Sequence, residues 1–353
     1  MLDQSNIGNL NEWVTIFARQ VTTPKLNPCI TGQFPYHNVG NFAMRSPDYR
    51  GVTQAYERIR SHIKRTRLVE NKRLNSKLNS KIYFKCENEQ LTGSFKIRGA
   101  HNAILQLKDS DRKVITHSSG NHGAAVAFVA KKLGKEAYIV IPEDTTESKR
   151  ENMLRYDAQL IECEPCVEAR DYQVQTILES SDMKFIHPYD NSEVIHGQGT
   201  ATYEFFDQLT ETKDAELDQV WVPVGGGGLA SGAVLAASGE VEVVCAEPEN
   251  VNDTYLSLQL GTRQPPTNKN TIADGLKAGL GKLNFEILQV TPVRVVIATE
   301  TEIKTAVSWI NESLKLNVEP SAAVVVAAML KNPHLVKKKV GVILTGGNVA
   351  QRA

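Results

Sequence analysis

Residues 219–237 read Gln-Val-Trp-Val-Pro-Val-Gly-Gly-Gly-Gly-Leu-Ala-Ser-Gly-Ala-Val-Leu-Ala-Ala. An apolar run of strand length, Gln219–Val224, enters four consecutive glycines and leaves as an Ala-rich helical run over Ala230–Ala237. Strand, tight turn and helix in that order form half of a βαβ unit. Four glycines let the backbone approach an anion closely, with N–H groups at the positive end of the following helix. The spaced G-x-G-x-x-G pattern of dinucleotide sites is absent, as is the P-loop lysine. The quartet Gly225, Gly226, Gly227, Gly228 therefore suits a single phosphate group; the plainer alternative is a flexible strand–helix turn.

Outward from this turn the same alternation repeats from about residue 51. Further strands are predicted at Ile82–Phe84, Val114–Thr116, Ala137–Ile141, Gln159–Glu162, Phe185–His187, Val241–Ala246, Val293–Ala298 and Val340–Leu344. Helical stretches lie between them. Ala124–Leu133 stops at Gly134, a common helix terminator. Glu302–Leu314 sets Ile303, Val307, Ile310 and Leu314 on one face. Strands separated by such helices imply a mostly parallel sheet and an α/β class. No repeat or linker is visible, and 353 residues fit one large or two moderate domains.

Forty Lys plus Arg balance forty Asp plus Glu, so nothing draws the chain to nucleic acid or to an acidic membrane surface. No stretch approaches the roughly 20 apolar residues of a bilayer span. A soluble, cytoplasmic protein is expected. Five cysteines (Cys29, Cys86, Cys163, Cys166, Cys245) do not make a disulfide framework. Cys163 and Cys166 have the spacing of a redox or zinc pair, but no second Cys or His pair lies near, and they read as two ordinary thiols at a strand end. Residues 1–50 hold scattered Asn, Gln, Pro and Thr, with one helix-like patch at Trp13–Phe17, and read as a weakly ordered extension. Asp3 and Glu12 do not suit a transit peptide, and no apolar signal core follows the start.

Two further loops concentrate chemistry. His117-Ser118-Ser119-Gly120-Asn121-His122-Gly123 joins a strand to a helix. Helix capping by Ser or Asn explains one of these residues; their density suggests an anion nest with side-chain donors, apt for a carboxylate. Thr92-Gly93-Ser94-Phe95-Lys96-Ile97-Arg98-Gly99-Ala100 places a lysine at a helix start. A cation is disfavoured there, and a lysine whose ammonium form is disfavoured can serve as amine nucleophile and base.

Ser94–Ala100, the Ser-Gly-Asn-His loop, the tetraglycine turn and Thr345-Gly346-Gly347-Asn348 occur here in the order found in fold-type II pyridoxal-phosphate enzymes. Over roughly residues 51–350 the sequence resembles the serine racemase and serine/threonine dehydratase family. The resemblance implies a tryptophan-synthase-β-like α/β fold of open, twisted, mostly parallel sheets in two domains. Residues 51–112 and 191–353 would form the large cofactor-binding domain, and 113–190 a small inserted domain closing on substrate. Lys96 would carry pyridoxal 5'-phosphate as a Schiff base, Gly225 to Gly228 and Leu229 would cradle its phosphate, and Phe95 would pack beside its ring. Asn121 would bond the ring hydroxyl and Thr345 would face the pyridine nitrogen, while Ser118, Ser119, Asn121 and His122 would take up a small amino-acid substrate. A neutral hydroxyl at Thr345 makes a weaker electron sink than a carboxylate would, which suits α-proton removal and β-elimination rather than transamination. Racemisation needs a proton delivered to the opposite face, and Ser119 matches the family residue that does this. The expected activity is serine racemisation with β-elimination to pyruvate and ammonia; a serine/threonine ammonia-lyase or a 3-hydroxyaspartate dehydratase is the alternative. A homodimer is also implied.

Glu247-Pro-Glu-Asn-Val251-Asn-Asp253 resembles the family's Mg²⁺ site, with Glu247, Asp253 and the carbonyl of Val251 as ligands; two solvated acids at a helix start are the alternative. The family's nucleotide site is matched at Tyr156 and Asn348 only. Asn71-Lys72, Leu91 and Ala124 replace its paired serines, Lys and Gln, so ATP is not carried over as an effector. His187-Pro-Tyr-Asp-Asn191 resembles the dehydratase version of the substrate loop and lacks the serine run of animal aspartate racemases. The sequence stops just past Asn348, where the family has a final helix, and no regulatory extension is expected.

Overall fold

This computed structural model describes residues 47–212, 216–266, 268 and 270–349. Two sheets organise it. Strands β1 (Leu68–Glu70), β2 (Lys81–Lys85), β7 (Gln219–Pro223), β8 (Glu242–Pro248), β9 (Arg294–Ala298) and β10 (Lys339–Ile343) form a six-stranded sheet in the order β1-β2-β10-β7-β8-β9. Only the β1–β2 pair is antiparallel. Strands β3 (Lys113–His117), β4 (Glu136–Pro142), β5 (Gln159–Cys163) and β6 (Lys184–Phe185) form a second, wholly parallel sheet in the order β5-β4-β3-β6.

Strand β7 explains its own composition. Val220 and Val222 pack with Phe205, Ala230 and Ile287 on one face, while Trp221 joins Phe84, Val244 and Val325 on the other. Both faces are covered, so alternation is lost and the run reads as continuously apolar. Each such buried side chain contributes about 1.5–3 kcal/mol. Strand β1 lies at the sheet edge and its three residues are only partly covered or exposed, which is why no apolar run announced it.

Most expected elements are present with ends displaced by a few residues. The helix expected over Ala124–Leu133 spans Asn121–Lys132 and that over Glu302–Leu314 spans Glu300–Leu314, where Thr299 and Glu302 complete a capping box. The strand expected at Phe185–His187 is only Lys184–Phe185. His187 leaves the sheet because its Nδ1 accepts from the backbone N–H groups of Tyr189 and Asp190, a turn held by its side chain. Residues 47–50 belong to the folded body, since a helix runs Tyr49–Ile59 with Asp48 as its cap; the Trp13–Phe17 patch and Cys29 lie outside the described residues. Cys86, Cys163 and Cys245 are free thiols. Among the described residues no helix is long and apolar enough to cross a membrane.

One polar cluster lies inside the core. Lys85 and Arg98 meet Glu87 and Glu204 through Lys85 Nζ–Glu204 Oε1 at 2.5 Å and Arg98 Nη2 to Glu87 Oε1 and to Glu204 Oε1 at 2.8 Å, with all four side chains at most 1% exposed. Two cations and two anions balance, and Thr66 donates to Glu87 Oε1 at 2.6 Å. The cluster ties the helix Lys96–Ile104 to β2 and to the long helix Ser192–Glu211.

Candidate active site

The chemistry-bearing loops lie after the carboxyl ends of parallel strands, where open α/β sheets place ligands. His117 closes β3 ahead of the Ser118–His122 loop, Pro223 closes β7 ahead of the glycines, and Ile343 closes β10 ahead of Thr345. Backbone pairing then draws the loops together. Phe95 N donates to Thr345 O at 3.0 Å and Gly347 N to Gly93 O at 2.9 Å, flanking a bridge between Ser94 and Gly346. The Asn348 amide spans to the third loop, its Nδ2 donating to Thr92 O at 2.9 Å and to Asn121 Oδ1 at 2.8 Å.

Lys96 is the first residue of its helix, and Phe95 at the cap position offers no side-chain acceptor. The half-buried ammonium thus faces the positive end of the helix with little solvent to relieve it. Burial pulls its pKa down to about 8, partly opposed by the Glu319 carboxylate. Its Nζ donates to Pro188 O at 2.8 Å and lies 5.3 Å from the centre of the Phe95 ring. An amine of this kind is available as a nucleophile near neutral pH.

The glycine turn is shaped for close approach. Gly227 has φ +94°, and a Cβ on it would stand 2.6 Å from Asn284 Cβ. A Cβ on Gly226 would stand 2.4 Å from the Tyr189 ring. The helix Gly228–Ala237 begins here, so its first-turn N–H groups, Leu229 included, have no intrahelical partner and point out of the turn. Asn284 Nδ2 donates at 3.0 Å to both Gly226 O and Tyr189 O, which holds the turn against the His187–Asn191 loop. Asp190 fixes that loop from the other side by accepting from Lys282 N and Leu283 N at 2.9 Å each.

The Ser118–His122 loop departs from the capping expectation. Gly120 holds the N-cap position with no side-chain cap, and Asn121 is already helical. Asn121 Nδ2 donates instead to both carboxylate oxygens of Glu319 at 3.0 Å. Ser118 Oγ accepts from Gly120 N at 3.3 Å, and Ser119 is half-buried. His122 is buried, with Nε2 3.1 Å from Ile186 O; burial and the nearby Lys96 charge keep its ring neutral. The structure thus gathers Phe95, Lys96, Ser118, Ser119, Asn121, His122 and Thr345 on adjoining loops, with the glycines joined to them through Pro188 and Tyr189.

Sequence reading missed Glu319, Tyr189, Asp190 and Asn284 as individual contributors. Glu319 precedes Pro320 and an apolar helix, a pattern that signals a helix start and nothing more. Tyr189 and Asp190 were singled out only as part of a loop, and Asn284 sits in a helix with no motif around it.

Glu247 lies near the end of β8, and Asp253 begins the helix Asp253–Leu260. Both are buried, Glu247 Oε1 accepts from Tyr255 N at 2.7 Å, and Glu247 Oε2 has no partner. Asp253 Oδ2 accepts from Leu280 N at 2.8 Å. Burial pushes Glu247 up to about 8 and Asp253 to about 6. Among the described residues no three His, Cys, Asp or Glu side chains cluster as a metal cage. A surface pocket lined by Tyr255, Arg294, Lys331 and Leu335 contains none of the residues discussed above as the centre.

An amine with a lowered pKa, a glycine turn at a helix start and a tethered amide together fit a phosphorylated aldehyde cofactor. Comparison with known proteins agrees. Residues 59–346 match the family model "Pyridoxal-phosphate dependent enzyme", and the chain belongs to that family. It is 40% identical over 316 residues to a serine racemase of Dictyostelium discoideum, covering 87% of this chain and 96% of that one. It is 37% identical over 312 residues to a beta-hydroxyaspartate dehydratase of Paracoccus denitrificans, covering 87% and 98%. The solved structure of maize serine racemase superposes with TM-score 0.82 at 36% identity, over 87% of this chain and 95% of that one. The protein is an enzyme of the pyridoxal-phosphate-dependent racemase and ammonia-lyase group, with the two-sheet fold of its fold-type II members.

Proposed function

We propose that the chain is a serine racemase that also eliminates water from serine to give pyruvate and ammonia. The observation that carries this is Ser119, a hydroxyl on a loop whose neighbour Asn121 is tethered to Asn348 and Glu319 beside Lys96. In this reading the cofactor, when bound, supplies the electron sink that acidifies the substrate α-carbon. Lys96 holds the cofactor and moves the α-proton on one face. Ser119 delivers a proton to the other, its loop belonging to a small domain of residues 113–190 that closes over substrate. Ser118, Asn121 and His122 bind the substrate carboxylate. Gly225 to Gly228 and Leu229 would hold the phosphate, and Phe95, Asn121 and Thr345 would hold the ring.

Glu247, Asp253 and the Val251 carbonyl would hold Mg²⁺; the support is a buried carboxylate oxygen without a partner beside a second buried carboxylate. The reading also takes the protein as a cytoplasmic homodimer, which sedimentation and cell fractionation test.

Resolving serine enantiomers after incubation with L-serine tests the main reading. D-serine together with pyruvate supports it, and pyruvate alone refutes racemisation. A second reading, a 3-hydroxyaspartate dehydratase, is favoured by the Tyr189-Asp190 loop and by the Paracoccus relative. Asp190 is committed to a helix N-terminus, so that loop offers backbone and ring rather than a free carboxylate. Comparing kcat/KM for serine, threonine and 3-hydroxyaspartate separates the two.

A further inference from the structure

The helix that begins at Lys96 has no cap of its own. Phe95 at the cap position offers no side-chain acceptor, and the first four N–H groups of a helix find no partner within it. Phe95 O takes Arg98 N at 3.0 Å, and Gly99 N donates outside its own helix, to Gln198 Oε1 at 3.2 Å. Gln198 belongs to the long helix Ser192–Glu211 and is 1% exposed.

Glycines seat the amide. A Cβ on Gly99 would stand 2.4 Å from Gln198 Nε2, and a Cβ on Gly197 would stand 2.6 Å from Gly99 Cα, so the two helices meet backbone to backbone. Gly199 makes the same close approach to the next helix. A Cβ on it would stand 2.7 Å from the carbonyl oxygen of Gly232, in the helix Gly228–Ala237 that leaves the glycine turn. The segment 197–199 is thus packed between the helix that starts at the amine and the helix that starts at the glycines.

We propose that Gln198 is a positioning residue for Lys96, capping the Lys96 helix from a neighbouring helix without bringing a charge to it. The inference rests on the assignment of Lys96 to the cofactor.

The neutrality of this cap is informative. The Gly99 N–H can only donate, so Gln198 presents its oxygen there, and its Nε2 is left buried without a partner. A carboxylate of the same shape would satisfy Gly99 N, strand no donor and suit the positive end of the helix better. It would also favour the ammonium form of Lys96. The groups that face Lys96 are the Glu319 carboxylate, which favours the ammonium, and the His122 and His187 rings, which burial keeps neutral. On the Gln198 side, Arg98 is engaged by Glu87 and Glu204, and Lys85 by Glu204, so that cluster is balanced. A neutral cap leaves burial to set the amine at about 8.

Condensation of full-length apoprotein with pyridoxal 5'-phosphate, followed by absorbance as a function of pH, reads the amine without any turnover. The rate rises as the amine loses its proton, so its midpoint tracks Lys96. Gln198→Glu keeps an acceptor for Gly99 N and adds charge; its midpoint should rise by roughly half a unit. Gln198→Met fills similar space with no acceptor. Its midpoint should fall by a few tenths of a unit, and deuterium exchange at the Gly99 amide should quicken at least about tenfold. Circular dichroism checks both folds, and either folded variant is decisive by itself. Midpoints that superimpose on wild type or move in the opposite order, or unchanged exchange at Gly99 in Gln198→Met, overturn the inference while leaving Lys96 intact. A wild-type chain that fails to condense overturns the Lys96 assignment and this inference with it.

Discussion

Lys96 Nζ and the carbonyl oxygen of Pro188 lie 2.8 Å apart. This contact joins the start of the Lys96–Ile104 helix to the His187–Asn191 loop, and that loop in turn carries the Tyr189 ring lying against Gly226. The amine and the glycine turn, 129 positions apart in the sequence (96 to 225), are therefore linked through one intervening loop. Its rigidity comes from His187, Asp190 and Asn284 rather than from either end.

Replacing Gly227 by Ala should disturb that linkage at its tightest point. A residue with φ +94° pays backbone strain of about 1–3 kcal/mol when it gains a side chain. The new Cβ would also press on Asn284. Urea denaturation should show the loss of stability, and cofactor titration should show Kd raised by at least about tenfold.

Ser119→Ala should separate the two reactions of serine. Loss of a positioned acid or base costs about 10²–10⁴-fold. That loss should fall on enantiomer exchange, with pyruvate formation from L-serine retained within about threefold. Chiral chromatography of the reaction mixture measures both at once.

The buried cluster of Lys85, Glu87, Arg98 and Glu204 should tolerate no single deletion. Arg98→Met leaves Glu87 without its main counter-ion in a site of no exposure. Stranding a buried charge costs about 3–5 kcal/mol. The denaturation midpoint should drop accordingly, and because Arg98 lies two residues after Lys96, cofactor occupancy should fall with it.

Acid should weaken the fold through histidines. Burial holds His187 down to about 3 and keeps His117 and His122 well below their ordinary value. Each folded-state pKa lies below the unfolded value near 6.5, so the unfolded chain binds more protons as pH falls. Their stabilising neutrality is complete above about pH 6.5 and is lost progressively toward about 3. Urea midpoints measured down that range should fall, and His187→Phe should flatten part of the slope.

The alternation of strands and helices was legible because buried parallel strands expose no polar face and so stand out as apolar runs. Elements without that signature were not. Strand β1 is a partly covered edge, and β6 stops early because His187 turns the backbone with its own ring. Within the site, Lys96, Ser119, Asn121 and the glycines announced themselves by residue type in a short motif. Glu319 and Asn284 act through contacts with residues 198 and 58 positions away, at Asn121 and Gly226. Nothing local in their sequence records those contacts. The expected cap by Ser or Asn is replaced by Gly120, and a partner distant in sequence claims the Asn121 amide.

Reduction with borohydride in the presence of pyridoxal 5'-phosphate, followed by proteolysis and mass mapping, tests the central assignment most directly. The phosphopyridoxyl mass should appear on the peptide containing Lys96 and vanish in Lys96→Ala. An adduct on a different lysine, or none at all on a folded protein, would contradict the account.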